Sequence, residues 1–134
     1  MITKDDMRTY LAAFNRKDLG GFGRFYASDV TLNLSGKQIL QSRQAIFDFY
    51  GKVWDRCDER LDLMAIVVDE DGAALHLGAE FKALRDDPDF IAGPLVPGQS
   101  IFLESLVFYR FENGLIQSIR SFRASGPSAG ASTF

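Results

Sequence analysis

Cysteine and histidine are scarce in this chain of 134 residues, and their scarcity excludes whole classes of site. Cys57 is the only cysteine, so an intramolecular disulfide is impossible. His76 is the only histidine, and no spacing of side chains resembles a set of metal ligands. We therefore expect neither a metal site nor a bound cofactor.

An excess of basic residues is also missing. Fifteen Lys and Arg stand against 18 Asp and Glu, which gives a net charge of −3 and no long-range field to attract nucleic acid or an anionic membrane. No apolar run approaches the roughly 20 residues that span a bilayer. The first residues also lack the basic and apolar regions of a signal peptide, so we expect a soluble, cytoplasmic protein.

Three helices are predicted in the first half of the chain. Thr3 and Asp6 form a capping-box pattern in front of an apolar stripe, which indicates a helix over residues 4–16. A short helix is predicted over 18–26. A long amphipathic helix is predicted over 42–57.

Five segments alternate between apolar and polar side chains and predict strands: residues 30–34, 61–68, 73–84, 100–112 and 115–124. Asn113-Gly114 is a strong signal for a two-residue hairpin turn. Residues 85–99 are too long for a simple turn and are expected to form a lid or an edge loop.

This order of elements predicts an α+β fold with helices gathered on one face of an antiparallel sheet. We expect a cone-shaped, curved sheet closed by the three helices, as one domain over residues 1–124. Residues 125–134 are predicted to be a tail that is mobile or docked on a neighbour. Twelve Phe residues suggest either a Phe-packed core or an apolar cavity, and composition does not choose between them.

Four segments resemble, in order and spacing, the nuclear-transport-factor-2-like superfamily and its SnoaL-like and ketosteroid-isomerase-like branch. They are YLAAFNRKD at 10–18, FYASDVT at 25–31, AIFDFY at 45–50 and FYRFENGLI at 108–116. The resemblance covers about residues 5 to 124 and implies a cystatin-like α+β barrel. It specifies the fold better than the chemistry, since the fold hosts several reactions and also non-catalytic binders.

The resemblance also implies roles for individual residues. Ketosteroid isomerases use a carboxylate base with an oxyanion hole made by a Tyr and a protonated Asp. The oxyanion-hole tyrosine falls on Tyr10, and two tyrosines that support it fall on Tyr26 and Tyr50. The base falls on Leu34 and the oxyanion-hole Asp on Val107, which excludes the usual isomerase mechanism.

Arg123 falls where those isomerases often place an aromatic residue, on the same strand face as Ser121 and Ile119. A guanidinium there could hold a phenolate, an enolate or a carboxylate. It could equally be a strand-end cation paired with a carboxylate. A slip of one residue would turn Arg123 outward and bring Arg120 or Phe122 in.

The sequence therefore favours a cofactor-independent isomerase, lyase or cyclase-type enzyme acting on an apolar aromatic or polyketide-like molecule. Tyr10, Tyr26, Tyr50 and Arg123 are its predicted catalytic residues. The predicted pocket consists of Phe14, Leu34, Trp54, Phe81, Val107 and Tyr109. The alternative is a non-catalytic protein that binds a hydrophobic ligand.

The opposite face of the sheet is predicted to mediate a homodimer. Alternation places outward His76, Glu80, Phe102, Glu104, Leu106 and Phe108. An exposed face this apolar favours a dimer through the sheet. A register slip would instead bring Glu104 inward as a candidate base.

Overall fold

The computed structural model describes residues 1–129, with side chains through Pro127. Its helices are α1 (Lys4–Asn15), α2 (Leu19–Gly23) and α3 (Arg43–Arg56). Its strands are β1 (Tyr26–Leu34), β2 (Gln38–Leu40), β3 (Cys57–Val68), β4 (Gly72–Ala83), β5 (Ser100–Glu112) and β6 (Leu115–Ala129).

The six strands form one curved sheet in the order β2-β1-β6-β5-β4-β3. The predicted α+β class is confirmed. The sheet is mixed, however, because the β5–β6 hairpin returns the chain beside β1 in the same direction, and β1 and β6 pair in parallel. Between residues 1 and 129, β2 and β3 do not pair with each other, so the sheet stays open.

Several boundaries differ from those that alternation predicts. β1 begins at Tyr26, which is therefore a strand residue and not the end of the second helix. Its register with β6 shifts between Tyr26 and Thr31, which hides the strand from an alternation pattern. The three-residue strand β2 is absent from the sequence prediction. β6 continues to Ala129, so the start of the predicted tail lies in the sheet, while residues 130–134 lie outside the described residues.

Capping and packing fix the helices. The predicted capping box is present: the Asp6 amide donates to the Thr3 hydroxyl, and the Thr3 amide donates to the Asp6 carboxylate. At the other end of α1, the Asn15 side chain donates to the Leu61 carbonyl at 2.9 Å and accepts from the Leu61 amide at 2.8 Å. This double hydrogen bond joins α1 to the outermost strand, β3.

None of the helices in residues 1–129 is long and apolar enough to cross a membrane.

Residues 84–99, the loop between β4 and β5, pack against the sheet. Asp87 and Leu95 exchange backbone hydrogen bonds across the loop, and Phe90, Ala92 and Leu95 are buried. The Phe90 ring contacts Phe81 of β4 with centroids 5.5 Å apart. The loop is therefore packed onto the sheet by its apolar side chains.

Gly72 allows β4 to approach β5 closely. A Cβ at this position would collide with the backbone carbonyl oxygen of Tyr109, which cannot move without disturbing the strand. Gly51 of α3, in contrast, has open space around the position of its missing Cβ.

We therefore expect Gly72→Ala to lower the free energy of unfolding by about 1–3 kcal/mol. The matched change Gly51→Ala should raise it by about 0.5–1 kcal/mol. Urea unfolding followed by circular dichroism measures both, and equal stability of Gly72→Ala and wild type would contradict the assigned contact.

Candidate functional site

A cavity of about 140 Å³ lies between the inward face of the sheet and helices α1 and α3. All four tyrosines of the chain line it: Tyr10 from α1, Tyr26 from β1, Tyr50 from α3 and Tyr109 from β5. Most of the remaining wall is aliphatic or phenylalanine side chains. The few polar groups are thus confined to a mainly apolar space, as in small-molecule sites generally.

Two of the tyrosines are directly hydrogen-bonded. The hydroxyl oxygens of Tyr10 and Tyr26 lie 2.7 Å apart, and both side chains are buried. Edge-on ring contacts surround Tyr10, with centroids 6.1 Å from Phe22, 6.0 Å from Phe25 and 5.8 Å from Tyr109. These contacts hold the Tyr10 phenol in one orientation.

Tyr50 does not join this pair, although the family resemblance implies that it should. Within residues 1–129 its hydroxyl has no hydrogen bond to Tyr10 or Tyr26. Its ring instead stacks on Trp54 at 5.5 Å and meets Phe14 edge-on at 5.0 Å. Burial is the main cause that raises the Tyr50 pKa, and the negative charges of Glu59 and of an ionised Tyr109 would raise it further.

Burial keeps all four phenols protonated. It is the main cause that raises the pKa of Tyr10, Tyr26, Tyr50 and Tyr109 well above the ordinary value. Neighbouring phenols raise them further, because a second negative charge would be unfavourable there. At neutral pH the tyrosines are therefore hydrogen-bond donors and not bases.

Glu59 is the one acidic side chain that the described part of the chain contributes to the cavity wall, and sequence analysis did not identify it. It is the only buried charged residue in the part of the chain that the structure describes, and its Oε1 has no hydrogen-bond partner there. The nearby indole N–H of Trp54 lowers the pKa of this carboxyl. The N–H group does not reach hydrogen-bond geometry with the carboxylate, and it has no other partner among residues 1–129. Desolvation outweighs this effect and raises the pKa of Glu59 to about 7.

One signal in the sequence points to Glu59. Leu61 and Leu63 face inward on β3, and Glu59 precedes Leu61 by two residues on the same strand face. Alternation in the sequence predicts a strand that begins at residue 61, whereas β3 begins at Cys57 in the structure. Extending the alternation backward by one period places a carboxylate inside the protein.

Most of the predicted pocket residues line the cavity. Phe14, Leu34, Phe81, Val107 and Tyr109 all do so. Trp54 does not, since it packs behind the wall against Tyr50 and Phe14. Leu34 and Val107 leave the cavity without a carboxylate at either family position.

Arg123 lies at the exposed mouth of the cavity. It shares the lining with Ser121 and Ile119, so β6 has the register in which Arg123 faces the cavity. Lys37, which sequence analysis did not single out, is a second exposed cation in the same lining. The cavity therefore has a buried acidic end and an open basic end.

The outward residues form a separate surface. The Glu104 carboxylate lies 3.0 Å from the His76 ring nitrogen, and Glu80 accepts a hydrogen bond from Ser100, so neither Glu is a base in the cavity. Leu106, Phe108 and Phe122 are 43%, 48% and 41% exposed on adjacent strands, while Phe102, also predicted outward, is buried. No group of three His, Cys, Asp or Glu side chains within residues 1–129 is arranged to hold a metal ion.

Comparison with known proteins identifies the family. The model of the SnoaL-like domain matches residues 7–119, and the chain belongs to this family. The structural neighbours include members of the nuclear-transport-factor-2-like and ketosteroid-isomerase-like groups, which confirms the resemblance seen in the sequence. A comparison with curated protein sequences found no match.

Among the solved structures, two provisionally named polyketide cyclases share this fold. The protein from Xanthomonas campestris pv. campestris is 21% identical with a TM-score of 0.75, over 86% of this chain and 84% of its own. The one from Pseudomonas putida KT2440 is 23% identical with a TM-score of 0.75, over 87% and 86%. TerC, crystallised with polyporic acid, is 15% identical with a TM-score of 0.70, over 87% of both chains. At these identities the likeness concerns the fold alone.

The raised pKa of Glu59 makes a prediction about stability. The folded protein holds this proton up to pH about 7, whereas the unfolded chain releases it near 4.5, so the contribution to stability is lost as the pH rises across that window. The loss amounts to at most about 3 kcal/mol, at 1.36 kcal/mol for each unit of pKa. Glu59→Gln lacks this titration. As the pH rises from about 4.5 to about 7, the free energy of unfolding of Glu59→Gln should therefore increase relative to that of wild type. Urea titrations measure both proteins, and parallel pH profiles would contradict the burial of the Glu59 carboxyl.

Proposed function

We propose that this protein is a cofactor-independent enzyme that moves protons on an apolar aromatic or polyketide-like small molecule, in the manner of an isomerase, lyase or cyclase. The observation that supports it most directly is the Glu59 carboxyl, whose pKa of about 7 makes it both available and basic at neutral pH, in a cavity that all four tyrosines line. A catalytic base is most effective when its pKa lies near the working pH.

The proposed chemistry begins with a carbonyl compound in the cavity. The Glu59 carboxylate removes a proton from the carbon next to the carbonyl, and the electron pair moves onto the carbonyl oxygen as an enolate. The Tyr10 phenol, oriented by its hydrogen bond to Tyr26, donates to that oxygen. Return of the proton from Glu59 to another carbon completes an isomerisation. Attack of the enolate carbon on a second carbonyl of the same molecule would instead form a carbon–carbon bond and an alkoxide, and transfer of the proton from Glu59 to that alkoxide would complete a cyclisation.

Arg123 has a different role in this proposal from the one that the sequence suggests. Its exposed position at the mouth suits it to bind the substrate, whereas the buried Tyr10–Tyr26 pair is better suited to stabilise an oxyanion. Tyr50 lines the same cavity as Glu59 and is proposed to donate to its carboxylate when the substrate closes the cavity.

The alternative is a protein that binds a hydrophobic ligand without changing it. Leu34 and Val107 support it, because both family carboxylate positions in the cavity are apolar. Incubation with aromatic enones and ketones, followed by liquid chromatography and mass spectrometry, separates the two functions. A product of equal mass or of lower mass by one water indicates the enzyme, and a ligand recovered intact after denaturation indicates the binding protein.

With a substrate from that panel, Tyr10→Phe should lower kcat about 100-fold while KM changes little, because loss of an oxyanion donor acts on the transition state. Phe14→Leu is the matched control, since it alters the same wall without removing a hydroxyl. Glu59→Gln should abolish turnover. In wild type kcat/KM should rise with pH and level off above about 7, where Glu59 is ionised. Unchanged kcat in Tyr10→Phe would refute its role.

We also propose that two copies associate through the outward sheet face. Leu106 of β5 pairs in register with Phe122 of β6, and the Phe108 and Phe122 rings lie 5.9 Å apart. Together they form an apolar patch beside the polar His76–Glu104 pair. A two-fold axis through this patch would bury it against its own copy.

Phe108→Glu should convert the dimer to a monomer, because it places a charge in the centre of the apolar patch. Sedimentation velocity at micromolar concentration measures the change. Ile39→Glu is the matched control, since Ile39 is 54% exposed but lies on β2 at an edge of the sheet. A wild-type monomer, or equal loss of the dimer in both variants, would contradict this interface.

A further inference from the structure

The mouth of the cavity carries two cations without ionic partners. Neither Lys37 nor Arg123 forms an ion pair with an acidic side chain among residues 1–129, in a protein that has more acidic than basic residues. Among residues 1–129, Glu59 is the only acidic residue in the cavity lining, and it is buried. The positive charge at the mouth is therefore not neutralised by its surroundings.

The backbone that carries these cations is fixed. Ser35 and Gly36 adopt φ values of 52° and 74° in the turn before Lys37, and the Lys37 amide donates to the Leu34 carbonyl at 2.9 Å. The Ser35 amide donates to the Ser121 carbonyl at 2.9 Å, which ties this turn to β6 two residues before Arg123. The turn and β6 thus present the two side chains to the same opening.

A surface groove continues outward from this opening. It shares Ser35, Ser121 and Arg123 with the cavity and adds Arg120 to its lining. The Arg120 guanidinium lies over the Phe122 ring, 5.2 Å from its centroid. Lys37 and Arg123 are therefore the cationic side chains of the opening itself, whereas Arg120 lies beside Phe122 on the outward face of the sheet.

The cavity holds about one ring. Its 140 Å³ is close to the volume of about 150 Å³ at which an apolar cavity in another protein accepts benzene. A ligand larger than one ring would extend toward the open side of the cavity, where Lys37 and Arg123 belong to the lining.

We infer that the ligand is an amphiphilic anion, with a ring-sized apolar body in the cavity and a carboxylate arm held by Lys37 and Arg123 at the mouth. This inference rests on the proposed function and names its substrate class. A guanidinium and an ammonium together can bind both oxygens of a carboxylate. The same contact sets the depth to which the ring enters, and so which carbon reaches Glu59.

Isothermal titration calorimetry with trans-cinnamate and cinnamyl alcohol tests this inference, because the two probes share a ring and an arm and differ in charge. Wild type should bind cinnamate about 10-fold more tightly than the alcohol. The preference should shrink between about 0.05 M and about 0.5 M NaCl, because salt screens charges at an open mouth. Arg123→Gln and Lys37→Gln should each weaken cinnamate binding several-fold and leave alcohol binding unchanged. Lys4→Gln, which removes an exposed charge outside the cavity lining, is the matched control.

Equal affinity for the two probes, binding of neither, or equal loss of both in Arg123→Gln would overturn the inference. The result is separable from that for the proposed function. Glu59→Gln should keep the preference for the anion although it has no turnover. Turnover of neutral ketones without any preference for an anion would refute this inference alone.

Discussion

Burial of one carboxyl group among aromatic rings is the constraint on which the site depends. Glu59 sits where water cannot solvate its charge, and desolvation moves its pKa to about 7. The same apolar wall keeps four phenols protonated. Exclusion of water thus sets the protonation of both the carboxyl and the phenols in the cavity wall. Stability is lost in return, since an ionised carboxylate without a hydrogen-bond partner is unfavourable in the folded state.

The rest of the fold holds that carboxyl in place. Asn15 forms hydrogen bonds with both backbone polar groups of Leu61 on the edge strand β3. These bonds fix the strand two residues after Glu59. The loop between β4 and β5 closes the wall with Phe90 and not with its aspartates. Apart from Glu59, the charged side chains of the lining among residues 1–129, Lys37 and Arg123, consequently lie at the mouth. This separation favours a ligand that is apolar at one end and polar at the other.

Sequence reasoning predicts those parts of the fold that local chemistry determines. The capping box at Thr3, the amphipathic α3 and the Asn113-Gly114 turn each depend on neighbouring residues, and all three appear in the structure. Strand β2 and the start of β1 could not be predicted, because long-range pairing with irregular register determines them. Glu59 was missed for a related reason: a charged side chain predicts exposure unless the tertiary fold buries it. The tyrosines were found through a family resemblance. Such a resemblance predicts where a residue lies in the chain, but it does not predict which groups surround that residue in the structure.

Trp54 has a consequence for how the protein can be observed. It is the only tryptophan in the chain, its ring stacks on Tyr50, and its buried indole N–H lies near the Glu59 carboxyl with no hydrogen-bond partner among residues 1–129. Indole emission responds to nearby charge and to the polarity around the ring. The protein therefore carries an intrinsic optical reporter directly behind the cavity wall, and no attached dye is needed to follow events in the cavity.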